Sequence, residues 1–237
     1  MTTSFMSALA KSAARRYPRK DRFARHFAAG KLRADPVFAH LLRAGLIPDG
    51  ARLLDLGCGQ GLLAALLHAA GASGAWPDGW ASAPRHVHFR GIERSARDAQ
   101  RARHAAGANG EVLCADIRDA ALGKANLVVL LDVLHYIDRA AQADVLARVR
   151  QAVAEGGTVL MRVADADGSW RFRVTEWADN LAVIIRGGRA GKLHSRPATE
   201  WIALLESLGF TVRREPMSDG TPFRNVLLVA RYDPARN

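Results

Sequence analysis

Apolar positions along this chain change their spacing several times, and each change marks an element. Before residue 51 they fall three and four apart: Phe23 with Phe27, then Val37, Phe38, Leu41 and Leu42. That spacing predicts helices. Asp35-Pro36 reads as a helix start, an N-cap followed by proline at the first helical position, and Gly45 and Pro48 close that helix. A short apolar run then predicts a first strand over 51–56, and helical spacing resumes over 60–70. Residues 71–85, rich in Gly, Ala, Ser, Pro and Trp, form a long loop for a strand–helix unit. The pattern goes on to predict a strand over 86–93, a helix over 95–106 and a strand over 110–114. The continuous apolar run from Asn126 to Leu131 suits a central parallel strand. A helix over 138–153, a turn at Glu155-Gly156-Gly157 and a fifth strand over 158–163 follow. Periodicity breaks over 165–196, which reads as an insertion or lid. A helix over 197–207 and strands over 210–215 and 225–232, joined by a turn at Ser218 to Thr221, end the pattern.

Strands alternating with helices predict an α/β fold with a doubly wound parallel sheet. Its organisation is a helical extension over 1–45, with the main domain over 46–237 carrying the 165–196 insertion. No internal repeat or low-complexity tract interrupts it.

Composition narrows the class. With 237 residues and 49% hydrophobic content, the chain can bury a core, so wholesale disorder is not expected. Two cysteines, Cys58 and Cys114, cannot build a disulfide framework or a metal cluster alone. Apolar runs fall well short of the roughly 18 residues a membrane span needs, and no early block resembles a secretory signal. A cytoplasmic protein is expected. The net charge of +11 favours anionic partners. Arginine far outnumbers lysine and alanine is abundant, so part of that charge can reflect a GC-rich coding sequence. The dense cluster is Lys11, Arg15, Arg16, Arg19, Lys20, Arg22, Arg25, Lys31 and Arg33, opposed there by Asp21 alone.

Chemistry concentrates at Leu53-Leu54-Asp55-Leu56-Gly57-Cys58-Gly59-Gln60-Gly61. An apolar run ends in an acid, then glycines alternate, then a helix begins. A dinucleotide fingerprint would need a small residue at 62, where Leu62 stands. Cys58 reads as a small residue within the turn. Two more acids, Glu93 and Asp116, each follow the end of a successive strand. A carboxylate at the end of the second strand can accept from both hydroxyls of a ribose. The alternative for each acid is a helix cap or a solvated loop.

With Asp55 ahead of the G-x-G-x-G turn, the segment resembles the first motif of class I S-adenosylmethionine-dependent methyltransferases of small-molecule or lipid type. The resemblance implies a Rossmann-like, doubly wound seven-stranded sheet whose last strand is antiparallel. It implies S-adenosylmethionine as cofactor, held by Asp55, Gly57, Cys58, Gly59, Gly61, Glu93, Arg94, Asp116, Ile117 and Asp132. Within that set, Asp116 matches the position that contacts the adenine amino group, and Ile117 would cover the ring.

Leu131-Asp132-Val133-Leu134-His135-Tyr136-Ile137 is similar to the segment after strand four in small-molecule methyltransferases. It lacks the Asn/Asp-Pro-Pro-Tyr/Phe motif of many amino-group enzymes. His135 is the candidate general base, since imidazole titrates near neutrality; packing against the cofactor or backbone is the alternative. No metal is expected, because no carboxylate/His cluster has ligand spacing. Trp170, Phe172, Trp177 and His194 in the insertion either line an acceptor pocket or pack as a small cap. Asp165 and Asp167 are further acceptor-side candidates.

Gly30 to Phe38 resembles bacterial methyltransferases found with fatty-acid or aryl-polyene-type biosynthetic genes. The implied acceptor is a small, acyl or polyketide-like molecule, methylated at oxygen, with an acidic carrier protein or anionic membrane surface as partner. An RNA methyltransferase using the basic N-terminus is the second reading, although no RNA-binding module is present. A non-catalytic binding protein of the same fold is the third. The first 45 residues, which combine Phe23, Phe27 and Phe38 with basic side chains, are expected to act as a lid.

Overall fold

The computed structural model describes residues 2–166, 193–217 and 225–234. Trp170, Phe172, Trp177, Asp167 and the turn expected at Ser218 to Thr221 lie outside the described residues. Seven strands fall in the order β3-β2-β1-β4-β5-β7-β6, and the last strand runs antiparallel. This is the Rossmann-like sheet that the glycine turn implied. The chain divides into two compact units, Met1–Ala121 and Leu122–Asn237.

The first unit holds β1 (Arg52–Leu56), β2 (His88–Glu93) and β3 (Gly110–Cys114), paired in parallel with Asp55 opposite Gly91 and Glu93 opposite Cys114. Helices α1 (Thr2–Ala14), α2 (Arg22–Ala34) and α3 (Pro36–Arg43) precede the sheet. Pro18 separates the first two. Asp21 caps α2 through the Ala24 N–H, and Asp35 caps α3 through the Val37 N–H with Pro36 just inside, as the sequence implied. Alternation of buried and exposed positions puts Ala24, Ala28 and Leu32 of α2 in the core. Helices α4 (Leu62–Gly71) and α5 (Ala96–Ala106) follow β1 and β2. The long loop after α4 is tied down by aromatic edges: Phe5 of α1 meets Trp76 and Trp80, each at 5.4 Å. β2 starts two residues later than its apolar pattern suggests, because His86 takes a left-handed backbone and Arg85 bonds back to Asp49 and Gly50.

The second unit holds β4 (Ala125–Leu131), α6 (Arg139–Ala152), β5 (Val153–Ala164), α7 (Ala198–Ser207), β6 (Phe210–Pro216) and β7 (Asn225–Tyr232). β4 and β5 are parallel, and β7 lies between β5 and β6, antiparallel to both. The expected turn at 155–157 is instead part of β5. The ladder pairs Ala125 with Val153, slips, and resumes at Leu127 with Thr158. Glu155, Gly156 and Gly157 therefore form a bulge within one long strand.

Candidate active site

The glycine turn is built by three constraints. Gly57 and Cys58 N–H groups both donate to the Ile92 carbonyl, which fastens the turn to the end of β2. Gly61 donates to the Cys58 carbonyl at 2.9 Å and closes it. Gly57, Gly59 and Gly61 all have positive φ, a region where a side chain is strained. Two of them differ in purpose. A Cβ on Gly61 would meet the Ala102 backbone of α5 at 2.8 Å, so this glycine permits close helix packing. A Cβ on Gly59 would meet nothing within 4 Å, so this glycine keeps one side of the turn open. Helix α4 begins at Gly61 without a side-chain cap. Its first N–H groups, with the positive end of the helix dipole, suit a carboxylate.

Glu93 sits half-buried at the end of β2. Its Oε2 accepts from the Gly59 N–H at 3.0 Å and its Oε1 from the Ser95 N–H at 2.7 Å. The carboxylate is thus aimed by backbone before any ligand arrives. Asp55 is buried one strand over, and burial together with the Glu93 charge raises its pKa from 3.8 to about 7. Cys58 is also buried. Its Sγ fills the space above Gly91, where a Cβ would approach within 2.7 Å. Sequence reasoning missed Gly91, which reads as an ordinary strand residue until Cys58 is placed against it.

Asp116 and Ile117 follow β3. Asp116 accepts from the Arg118 N–H and holds the Arg118 guanidinium through both carboxylate oxygens, at 3.0 and 2.8 Å. The Arg118 hydrogen bonds lower its pKa, and nearby Arg94, itself exposed, adds to the effect. Ile117 is buried.

In the second unit, Asp132 follows β4 with φ of +57°, uncommon for a residue with a side chain. Its carboxylate forms a two-armed ion pair with Arg162 of β5, Nε to Oδ1 at 2.9 Å. Its N–H donates to the Arg162 carbonyl. That pair explains a charge inside a central strand, since a buried guanidinium needs a partner. His135 is 6% exposed and its ring centroid lies 4.1 Å from that of Tyr136. Burial lowers its pKa below the usual imidazole value. Asp165 accepts from the Ala198 N–H, supplying the cap that Pro197 cannot give to α7, and pairs with Arg214 at 2.7 Å. It is structural here.

Gln142 of α6 was also missed. It is fully buried and its Nε2 donates to the carbonyls of Leu134, Ile137 and His194, while its Oε1 accepts from Arg196 at 2.6 Å. The His194 N–H donates to the His135 carbonyl at 2.8 Å. One glutamine thus organises the loop carrying His135 and the segment that carries His194. Among the described residues, no three His, Cys, Asp or Glu side chains converge as metal ligands.

A family model described as a methyltransferase domain matches residues 24–215. The chain belongs to that family. It therefore carries a methyltransferase domain. No curated protein matches it in sequence. Several solved structures share its fold. An O-methyltransferase family protein from Burkholderia thailandensis superposes with a TM-score of 0.61 at 20% identity, over 92% of this chain and 63% of that one. This chain thus spans under two thirds of that relative. Magnesium protoporphyrin IX methyltransferase from Synechocystis PCC 6803, solved with bound SAH, gives 0.59 at 17% identity over 98% and 100%. The 1,6-didemethyltoxoflavin N1-methyltransferase of Burkholderia thailandensis, with its acceptor and S-adenosylhomocysteine, gives 0.56 at 17% over 82% and 76%. No helix among the described residues is long and apolar enough to cross a membrane.

Proposed function

We propose that this methyltransferase acts on a small-molecule acceptor, at oxygen, with the cofactor held on the first unit by the glycine turn, Glu93 and Asp55. The observation that carries this reading is the Glu93 carboxylate, fixed by the Gly59 and Ser95 N–H groups beside the open face of Gly59. A carboxylate with two oxygens so fixed keeps lone pairs for two adjacent hydroxyls, the chemistry of a ribose. The open side of Gly59 and the uncapped start of α4 suit the amino acid end. Asp116 keeps its charge under Arg118 and adds an acceptor that an adenine amino group can share. The small-molecule class is supported by the fold relatives, whose names describe porphyrin and toxoflavin-type acceptors.

S-adenosylmethionine, when bound, would supply a sulfonium methyl whose carbon is open to attack by the acceptor, with S-adenosylhomocysteine as the neutral leaving group. The chain supplies binding, orientation and exclusion of water. An oxygen acceptor must also lose a proton. His135 is our candidate for that step, because burial keeps its imidazole neutral and ready to accept. With such a base, turnover should hold level through neutrality and fall only below the ordinary imidazole pKa of 6.5. A fall centred above pH 7 would remove His135 from the role. Asp132, locked to Arg162, positions the chain ahead of His135.

Glu93→Ala should weaken S-adenosylmethionine binding by about 1.5–3 kcal/mol, the range for hydrogen bonds to a charged group. Isothermal calorimetry checks this. Affinity unchanged in a folded Glu93→Ala protein would remove Glu93 from the site.

A further inference from the structure

The N-terminal segment reaches the glycine turn directly. Tyr17, between α1 and α2, is 1% exposed, and its hydroxyl donates to the Gln60 carbonyl at 3.1 Å. Gln60 stands between Gly59 and Gly61. Its side chain, also buried, donates Nε2 to the Ala24 carbonyl of α2 at 3.0 Å. Two outer links hold the same segment against α5. Asp21 takes the Arg101 guanidinium on both oxygens, at 2.7 and 3.0 Å, and Arg16 Nε donates to the Ala105 carbonyl at 3.2 Å.

A turn with glycines at alternate positions has many backbone states of similar energy. Hydrogen bonds from Gly59 to Glu93 and from Gly61 to Cys58 restrain its N–H groups. The Gln60 carbonyl is the remaining lever on the peptide between residues 60 and 61, and Tyr17 holds it. Burial raises the pKa of the Tyr17 phenol, so the hydroxyl remains a donor at every working pH. A buried hydroxyl left without its acceptor is costly, which makes this bond hard to give up.

We infer that Tyr17 and Gln60 are positioning residues: the N-terminal segment clamps the glycine turn in its binding form and so sets cofactor affinity without touching the cofactor. The segment then works as a fixed clamp, in place of a lid that opens at each turnover. This rests on the cofactor assignment made above. It adds a reason for the first 45 residues that is independent of their charge.

The test uses the full chain with Tyr17→Phe, which removes one oxygen, and Gln60→Leu, which keeps the volume and removes the bond to Ala24. In cofactor-free protein, hydrogen exchange at residues 58–62 should quicken in both variants while β5 is unchanged. Affinity for S-adenosylhomocysteine should fall about five- to tenfold, in line with one lost hydrogen bond. The KM for S-adenosylmethionine should rise by the same factor with kcat at saturation unchanged. A lower melting temperature with unchanged affinity and unchanged exchange at 58–62 would overturn the clamp and leave a purely structural role. Wild-type protein that fails to bind the cofactor would instead sink the cofactor assignment, and the exchange rates alone would then decide the clamp.

Discussion

Asp55→Asn protein is expected to melt on the order of 10 °C above wild type at pH 8, and to bind S-adenosylmethionine more weakly. The stability gain follows from the buried carboxyl. Its pKa is near 7 in the fold against 3.8 ordinarily, so between those values the folded state holds a proton that the unfolded chain has released. Stability from this group is therefore greatest at low pH. It falls as pH rises through the interval from 4 to 7 and is flat above it. A shift of that size corresponds to roughly 4 kcal/mol. Asparagine has the shape of the protonated acid and carries none of that cost. The gap between variant and wild type should accordingly be small near pH 4 and widen to a plateau above pH 7. Thermal melts across that range check it, and a gap independent of pH would show that Asp55 is already ionised in the fold. With S-adenosylmethionine held as proposed, the same carboxyl would have a proton to release when the cationic ligand binds beside it. Calorimetry in two buffers of different ionisation enthalpy should detect that release near pH 7.

Asp132→Ala is expected to cost about 3–5 kcal/mol of stability, because it leaves the Arg162 guanidinium buried without its carboxylate. Alanine also fits poorly at φ of +57°. Asp132→Asn keeps a short polar side chain that tolerates this backbone, so its loss should be smaller. Combining Asp132→Asn with Arg162→Met should recover much of the deficit, since a matched apolar replacement removes the buried charge altogether. Denaturant midpoints of the three proteins report the order. Equal midpoints for Asp132→Ala and wild type would show that the ion pair contributes nothing net.

Local patterns made much of this legible. The β1 run, the glycine spacing and the cap at Asp35 are short-range signals, and each element stands where its own residues put it. Glu93 was legible as an acid at a strand end; that its oxygens are held by Gly59 and Ser95 was not, because Gly59 lies 34 residues away. Tyr17, Gln60, Gly91 and Gln142 were unreadable for the same reason. A glutamine in an amphipathic helix reads as solvent-facing, yet Gln142 bonds to two separate loops and is fully buried. The long β5 was misread because Gly156-Gly157 signals a turn, while the backbone uses it as a bulge within a continuing ladder. Arg162 is a charge within an apolar strand and so needs a partner, yet that partner, Asp132, lies 30 residues away.

The packing of Cys58 against Gly91 has a practical consequence. Burial raises the pKa of the Cys58 thiol, and the thiolate is the form that alkylates. Cys114 is exposed and lies opposite Glu93 in the ladder between β2 and β3. Of the two cysteines in the chain, one is sealed and the other stands beside the proposed ribose carboxylate. This chain thus carries one exposed attachment point for a maleimide fluorophore, one strand from the group whose occupancy it would report. Ligand titrations followed by emission could then proceed on the unmutated sequence.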